Sequence, residues 1–264
     1  MRSFFKGPLL MAALFLSLSI SAHAITWFPK EFTCPIDGQK NTFMVVGSYG
    51  SYIYSYPSKY QWLFFPRTDS PTFYLCKKCS LATFMWDFDE LPKEKLAAIK
   101  EQLSDIKVSK SFEKYTEIPV TERLEIMEKV YSVLDKEDSW WEDFYRIKGY
   151  HYGKAGDEKK ASEARRLSLD LIQKQLKKDT DNDQKKILLY ISGAMKHFLN
   201  DDEGAIADLN KALTTKLTDK DGDPAEIAAA EKGLNERLKD YIDLINSTDK
   251  KPRLFDRSGS DHEH

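Results

Sequence analysis

The apolar positions of this chain change their period near Leu91. Beyond it they recur at helical spacing. Leu96, Ile99, Leu103 and Ile106 stand at i, i+3, i+7 and i+10, one face of a helix whose first turn suits Pro92. A polar connector over 108–118 leads to a second helix from Pro119, with Val120, Leu124, Met127, Val130, Tyr131 and Leu134 as its stripe. The same periodicity predicts helices over 140–154, 158–176, 184–199, 202–217 and 225–245. Before Leu91 the signal is strand-like. Segments 41–46 and 60–65 place β-branched and aromatic residues between turn formers, and 72–75 reads as a strand that delivers Cys76. Tyr52, Tyr54 and Tyr56 alternate as one face of a strand would, and 47–51 reads as a turn.

Two of the predicted helical hairpins carry the same spacing of small residues. Gly149, Ala161 and Ser168 are separated by 12 and 7 positions, and so are Gly193, Ala205 and Ala212. Small residues at those intervals let the two helices of a tetratricopeptide-type hairpin approach closely. The acidic turns Gly156-Asp157-Glu158 and Asn200-Asp201-Asp202-Glu203 fall between the paired helices. The units are offset by 44 residues rather than the usual ~34. An ordinary helical bundle with small residues at its crossings would show the same pattern. Stacked hairpins bury a shared core and present a concave face to a protein partner.

Composition sharpens the division. Residues 25–91 hold 17 aromatics and five prolines with few charges, whereas the later part is highly charged. The first 24 residues read as a signal peptide: Arg2 and Lys6 form a basic start, 8–20 is uncharged and apolar, and Ala22-His23-Ala24 fits a small-x-small cleavage site. That apolar run is short for a span of about 20 residues. An uncleaved signal anchor is the competing reading. No cysteine stands at the cleavage point, which argues against a lipid anchor. These features place the mature chain, from Ile25, in a bacterial periplasm or outside the cell, with no membrane span after cleavage. The full chain has a formal net charge of −2, and loss of Arg2 and Lys6 takes it to −4. It has no basic footprint for nucleic acid. The tail over 247–264 is polar and is expected to be disordered.

Three cysteines carry the chemistry. Cys34 opens Cys-Pro-Ile-Asp-Gly, and Cys76 and Cys79 form Cys-Lys-Lys-Cys. A Cys-x2-Cys turn presents two thiolates to one zinc ion, and Asp37 holds the matching place after Cys34. The layout is that of two knuckles of a zinc ribbon with ligands Cys34, Asp37, Cys76 and Cys79. Two other readings compete. Cys34 could form a disulfide with one of the pair in an oxidising compartment, and Cys-x2-Cys is also a redox spacing. The Asp179-x-Asp181-x-Asp183 and Asp219-x-Asp221-x-Asp223 runs lack the glycine and glutamate of a calcium loop and read as solvated loops. His151 and His197 on predicted helices, and the terminal Asp261-His262-Glu263-His264, are weaker metal candidates. Trp140-Trp141 with Phe144 and Tyr145 reads as packing for the first hairpin, or as an exposed aromatic patch.

The stretch Tyr74-Leu75-Cys76-Lys77-Lys78-Cys79-Ser80-Leu81-Ala82-Thr83-Phe84, continuing to Asp87-Phe88, resembles a bacterial family known as domain of unknown function 2225. The resemblance covers about residues 32–215 in layout and is specific around the cysteines. The family's first knuckle commonly has two cysteines, and here Asp37 replaces one. The resemblance implies a metal-stabilised ribbon followed by repeat-like helices, and no particular reaction. Taken together, the expectation is an α+β chain. A small aromatic zinc-ribbon-like β module over 25–91 precedes an all-α, tetratricopeptide-like helical part over 92–246. Its expected role is that of an exported scaffold with structural zinc, binding a protein partner through its helices. The alternative is a thiol-redox or metal-dependent enzyme acting through Cys76 and Cys79.

Overall fold

The computed structural model describes residues 26–49, 56–178, 181–218 and 223–247. The signal-like segment, Tyr52, Tyr54, Asp179, Asp219, Asp221 and the histidine-bearing tail lie outside the described residues. Two antiparallel ribbons come first. β1 (Thr26–Thr33) pairs with β2 (Lys40–Ser48), and β3 (Phe73–Leu75) pairs with β4 (Ala82–Phe84). A five-residue helix, α1 (Tyr56–Tyr60), lies between the ribbons. The helical part then runs α2 (Leu96–Leu103), α3 (Val120–Tyr131), α4 (Asp138–Ala155), α5 (Glu158–Leu176), α6 (Asn182–Phe198), α7 (Asp202–Thr214) and α8 (Pro224–Asn246). The fold is α+β, as the periodicity requires.

β1 escapes sequence reading because Pro29 and four charged or polar residues break its pattern. Pro29 sits opposite Met44, whose backbone N–H and C=O turn away from β1 to the hydroxyls of Tyr115 and Tyr74. The missing proline donor is therefore not required by the ladder. Gly47 and Ser48 belong to β2 and not to a turn. A Cβ on Gly47 would stand 2.9 Å from the Phe28 ring, so the glycine makes room for an aromatic across the ribbon.

The expected strand over 60–65 does not exist. Tyr56 opens α1, and the chain then folds back, with Leu63 N donating to Ser58 O and Trp62 at φ 54°. The apolar residues there serve two different cores, which alternation on one sheet face cannot do. Leu63 enters a first core shared by both ribbons, α2, α3 and α4, with Phe43, Tyr74, Phe88, Ile99, Leu124 and Phe144 among its members. Tyr60 enters a second core built by α5–α8 and stacks on Tyr241, ring centres 4.0 Å apart. Arg146 on α4 fastens this crossover. Its guanidinium donates to the Gln61 carbonyl at 3.1 Å and pairs with Glu142 and Asp143.

α4 packs on α5 and α6 on α7 as two hairpins with one plan of closure. A Cβ on Gly149 would meet Arg165 Cγ at 2.8 Å, and one on Gly193 would meet Leu209 Cγ at 2.7 Å. In both, the facing residue lies sixteen positions later. Aspartates start the last four helices. Asp157, Asp181, Asp201 and Asp223 accept from the backbone N–H of Lys160, Gln184, Gly204 and Ala225. Asp181 and Asp223 are thus helix caps within their acidic runs. His151 is buried between ribbon and helix. Its ring stands edge-on to Phe73, and Nε2–H donates to the Arg67 carbonyl at 2.9 Å. Trp140 stacks on Phe144 and Trp141 on Tyr145, so this aromatic group packs the first core at its margin.

Gly193→Ala is expected to lower stability by about 1–3 kcal/mol, because the branched Leu209 side chain and the Ala205 carbonyl leave no space. Gly233→Ala in α8, where nothing lies within 4 Å, is expected to raise it by about 0.5–1 kcal/mol through helix propensity. Urea melts of the two variants would separate these outcomes.

Burial pushes the His151 pKa from 6.5 down to about 3. The unfolded chain then binds the extra proton between those values, so stability rises with pH across that window. The contribution is fully present above about pH 6.5 and is lost as pH falls toward 3. His151→Gln, compared with the parent by denaturant melts at pH 7 and pH 4.5, should show a smaller loss on acidification.

Candidate metal centre

The site lies where the turn ends of the two ribbons meet. The loop between β1 and β2 carries Cys34 and Asp37, and the loop between β3 and β4 carries Cys76 and Cys79. Both loops follow one hydrogen-bond plan. Cys34 N donates to Gln39 O at 2.8 Å, and Gly38 N returns to Cys34 O at 3.0 Å. Cys76 N donates to Leu81 O at 2.8 Å, and Ser80 N returns to Cys76 O at 3.1 Å. The residue after the second donor takes a positive φ in each, 71° at Gly38 and 61° at Ser80. Glycine suits that conformation; the serine adopts it at a cost of ~1 kcal/mol. Asp37 therefore stands in its loop where Cys79 stands in the other.

One donor atom from each of Cys34, Asp37, Cys76 and Cys79 falls within a group no wider than 4.8 Å. The Cys34 and Cys79 sulfurs are 3.6 Å apart, and Cys76 Sγ lies 3.8 and 3.9 Å from the two Asp37 oxygens. Sulfurs bonded at ~2.3 Å to one tetrahedral ion stand ~3.8 Å from each other. A disulfide requires ~2.05 Å, and all three cysteines are free thiols. Cys34 and Cys76 are buried, whereas Cys79 and Asp37 are half-exposed on the outer side.

The three sulfurs divide their protons unequally. Hydrogen bonds from Cys34, and then from Cys79, hold the Cys76 thiol far below the ordinary range. Donating to Cys76 pushes the Cys34 thiol up. Cys79 is pushed up by its bonds to Cys34 and Cys76 and by burial. A divalent cation would release those protons and take all three as thiolates. The donor set fits a thiophilic ion with one carboxylate ligand, so these four residues could hold a metal ion.

Asn41, the second residue of β2, went unnoticed in the sequence. Its side-chain nitrogen donates to Gln39 O at 3.0 Å and lies 3.5 Å from Cys76 Sγ, and its Oδ1 accepts from Lys77 N at 3.0 Å. It is buried and ties one loop to the other. An asparagine among strand formers was the available signal, since strands disfavour it. His151 and His197 stand apart from this cluster. His197 Nδ1 instead bonds Asp202 at 2.6 Å.

Helix α3 holds the second ribbon in place. The buried Arg123 guanidinium reaches the Ser70 carbonyl at 2.9 Å and also the carbonyl of Phe73, the first residue of β3. Tyr131 accepts from Phe84 N on β4 and donates to Asp87.

Paired ribbon loops that converge on a cysteine–aspartate cluster, followed by helical hairpins, define an α+β protein with a candidate metal centre. The sequence profile of a family described as an uncharacterized protein conserved in bacteria, DUF2225, matches residues 27–236, and the chain belongs to that family. No curated protein and no solved structure matches the chain.

Asp37→Cys should tighten metal binding, since its place is that of Cys79 in the facing loop. Asp37→Ala should weaken binding by about 10-fold or more, as loss of a supporting group does at such centres. Competition with a chromophoric zinc chelator would measure both; equal affinities across the parent and both variants would remove Asp37 from the ligand set.

Proposed function

We propose that this chain is an exported, non-enzymatic scaffold in which Cys34, Asp37, Cys76 and Cys79 hold one structural zinc ion and the helical hairpins bind a protein partner. The observation that carries the zinc reading is the matched bonding plan of the two loops, with their four donors converging beside the aromatic core. Cys34 and Cys76 belong to that same core, so an ion there would cross-link β1–β2 to β3–β4 from within. Zinc suits three sulfurs and one oxygen better than the hard, oxygen-seeking cations do. The tetratricopeptide-like reading is supported by the equal spacing of the Gly149 and Gly193 crossings. Export rests on the basic, apolar and small-residue order of the first 24 residues.

One observation favours the alternative of a thiol-redox or metal-dependent enzyme: Cys79 and Asp37 are only partly buried, so solvent reaches part of the cluster. Metal analysis with thiol titration on purified protein separates the two. The structural reading expects one zinc per chain and thiols that react only after chelation. It also expects Cys76→Ser to lose the metal and to lower the melting temperature by about 10 °C or more, since structural zinc contributes directly to folding free energy. An unchanged melting curve for Cys76→Ser, with Cys79 reacting freely in the folded protein, would replace it with the enzyme reading.

A further inference from the structure

Beside the cysteine cluster, but outside it, a cavity of about 320 Å³ opens between β2 and the segment over 112–116. Met44, Leu75, Phe112 and Tyr115 give it apolar walls, and Lys40, Lys77 and Lys114 stand around it with Glu113 as the single acid. Lys40 is engaged with Glu31 across the ribbon at 2.8 Å, which leaves Lys77 and Lys114 as the cations facing inward traffic. The size sits at the lower end of the ~300–1,000 Å³ of ordinary ligand pockets.

The cavity wall includes a stretch of open strand edge. β2 pairs with β1 on one side only. Met44 turns its N–H and C=O to the outer side, where Tyr115 and Tyr74 engage them. Backbone groups alternate along an antiparallel strand, so Thr42, two residues earlier, directs its N–H and C=O the same way. Thr42 lines the cavity. The edge is closed on both sides of it, because the Lys40 carbonyl accepts from the Gln39 side chain at 2.7 Å and the Met44 groups are occupied.

We propose that this cavity receives the C-terminal end of an extended peptide from a partner protein, which pairs with β2 at Thr42 and sets its terminal carboxylate against Lys77 and Lys114. The inference goes beyond the scaffold reading, since it puts a partner site on the ribbon and not on the hairpins. Three features select the occupant. An open edge of one residue, closed at either end, cannot take a strand that runs through, but it can take a chain end. The modest volume admits a few residues. Lysines prefer the end that bears a carboxylate to the end that bears an ammonium group. Main-chain pairing would supply the affinity, and the apolar wall would select the last side chain.

The test uses two probes, the tripeptide acetyl-Val-Thr-Leu with a free C-terminus and the same peptide as its C-terminal amide. Each is titrated into isotope-labelled, metal-loaded full-length protein, with the Thr42 and Lys77 amide signals as readout. The free acid should shift both signals and bind about tenfold tighter than the amide, the scale of one charge-assisted bond. The variant K114E should weaken that preference severalfold while leaving the metal content unchanged. Equal response to acid and amide, or no shift at Thr42 at millimolar peptide, would overturn the proposal. So would movement of the Thr42 signal on removing residues 248–264 with no peptide present, because the chain's own tail would then be the occupant. Metal stoichiometry, measured on the same samples, tests the zinc reading separately.

Discussion

Three sulfurs and a carboxylate gathered within 4.8 Å at the margin of an apolar core are an electrostatic liability unless something neutralises them. Ionised together, they would repel one another with little water to screen them. The fold nonetheless brings them together through two separate loops with the same backbone bonding. Much of the surrounding structure serves that convergence. Asn41 ties the loops to each other, and Arg123 and Tyr131 on α3 pin the strands of the second ribbon. Neither ribbon has the size to stand alone, since a two-stranded hairpin is marginal in water. Their common core with α2, α3 and α4 supplies the missing apolar contact.

The two cores are coupled by side chains and not by a sheet. Tyr60 and Leu63 are three residues apart yet enter different cores. The turn between them is held by Arg146, whose own charge is balanced by Glu142 and Asp143. Ser168 on α5 adds a hydrogen bond to Glu142 at 2.9 Å, which brings the second hairpin helix into the same buried polar group. A shift of α4 against α5 would therefore disturb the crossover segment, and with it the packing of Tyr60 on Tyr241.

The helical half was legible because its signal is local. Apolar residues at i, i+3 and i+7 select a helix whatever lies across from them. Gly149 and Gly193 announced close crossings for the same reason: only a residue without a side chain fits there. The cysteine cluster was legible from ligand spacing, which a short turn fixes. What resisted reading depends on distant partners. β1 is hidden by Pro29, whose tolerance comes from the outward turn of Met44. The aromatic run over 60–65 looked like a strand because it is rich in strand formers, and its true form follows from having to serve two cores. Asn41 carries no motif, and its role exists only once Gln39, Cys76 and Lys77 surround it.

The stacking of Tyr60 on Tyr241 has a bearing on the order of events as the chain folds. The two rings lie 181 positions apart in the chain, so their meeting closes a very long loop. Local hairpins such as α4–α5 and α6–α7 need no such wait and can form as soon as their own residues are available. The second core, by contrast, stays open on one side until α8 has been synthesised and has found the N-terminal segment. Closure of the second core is thereby tied to the arrival of α8.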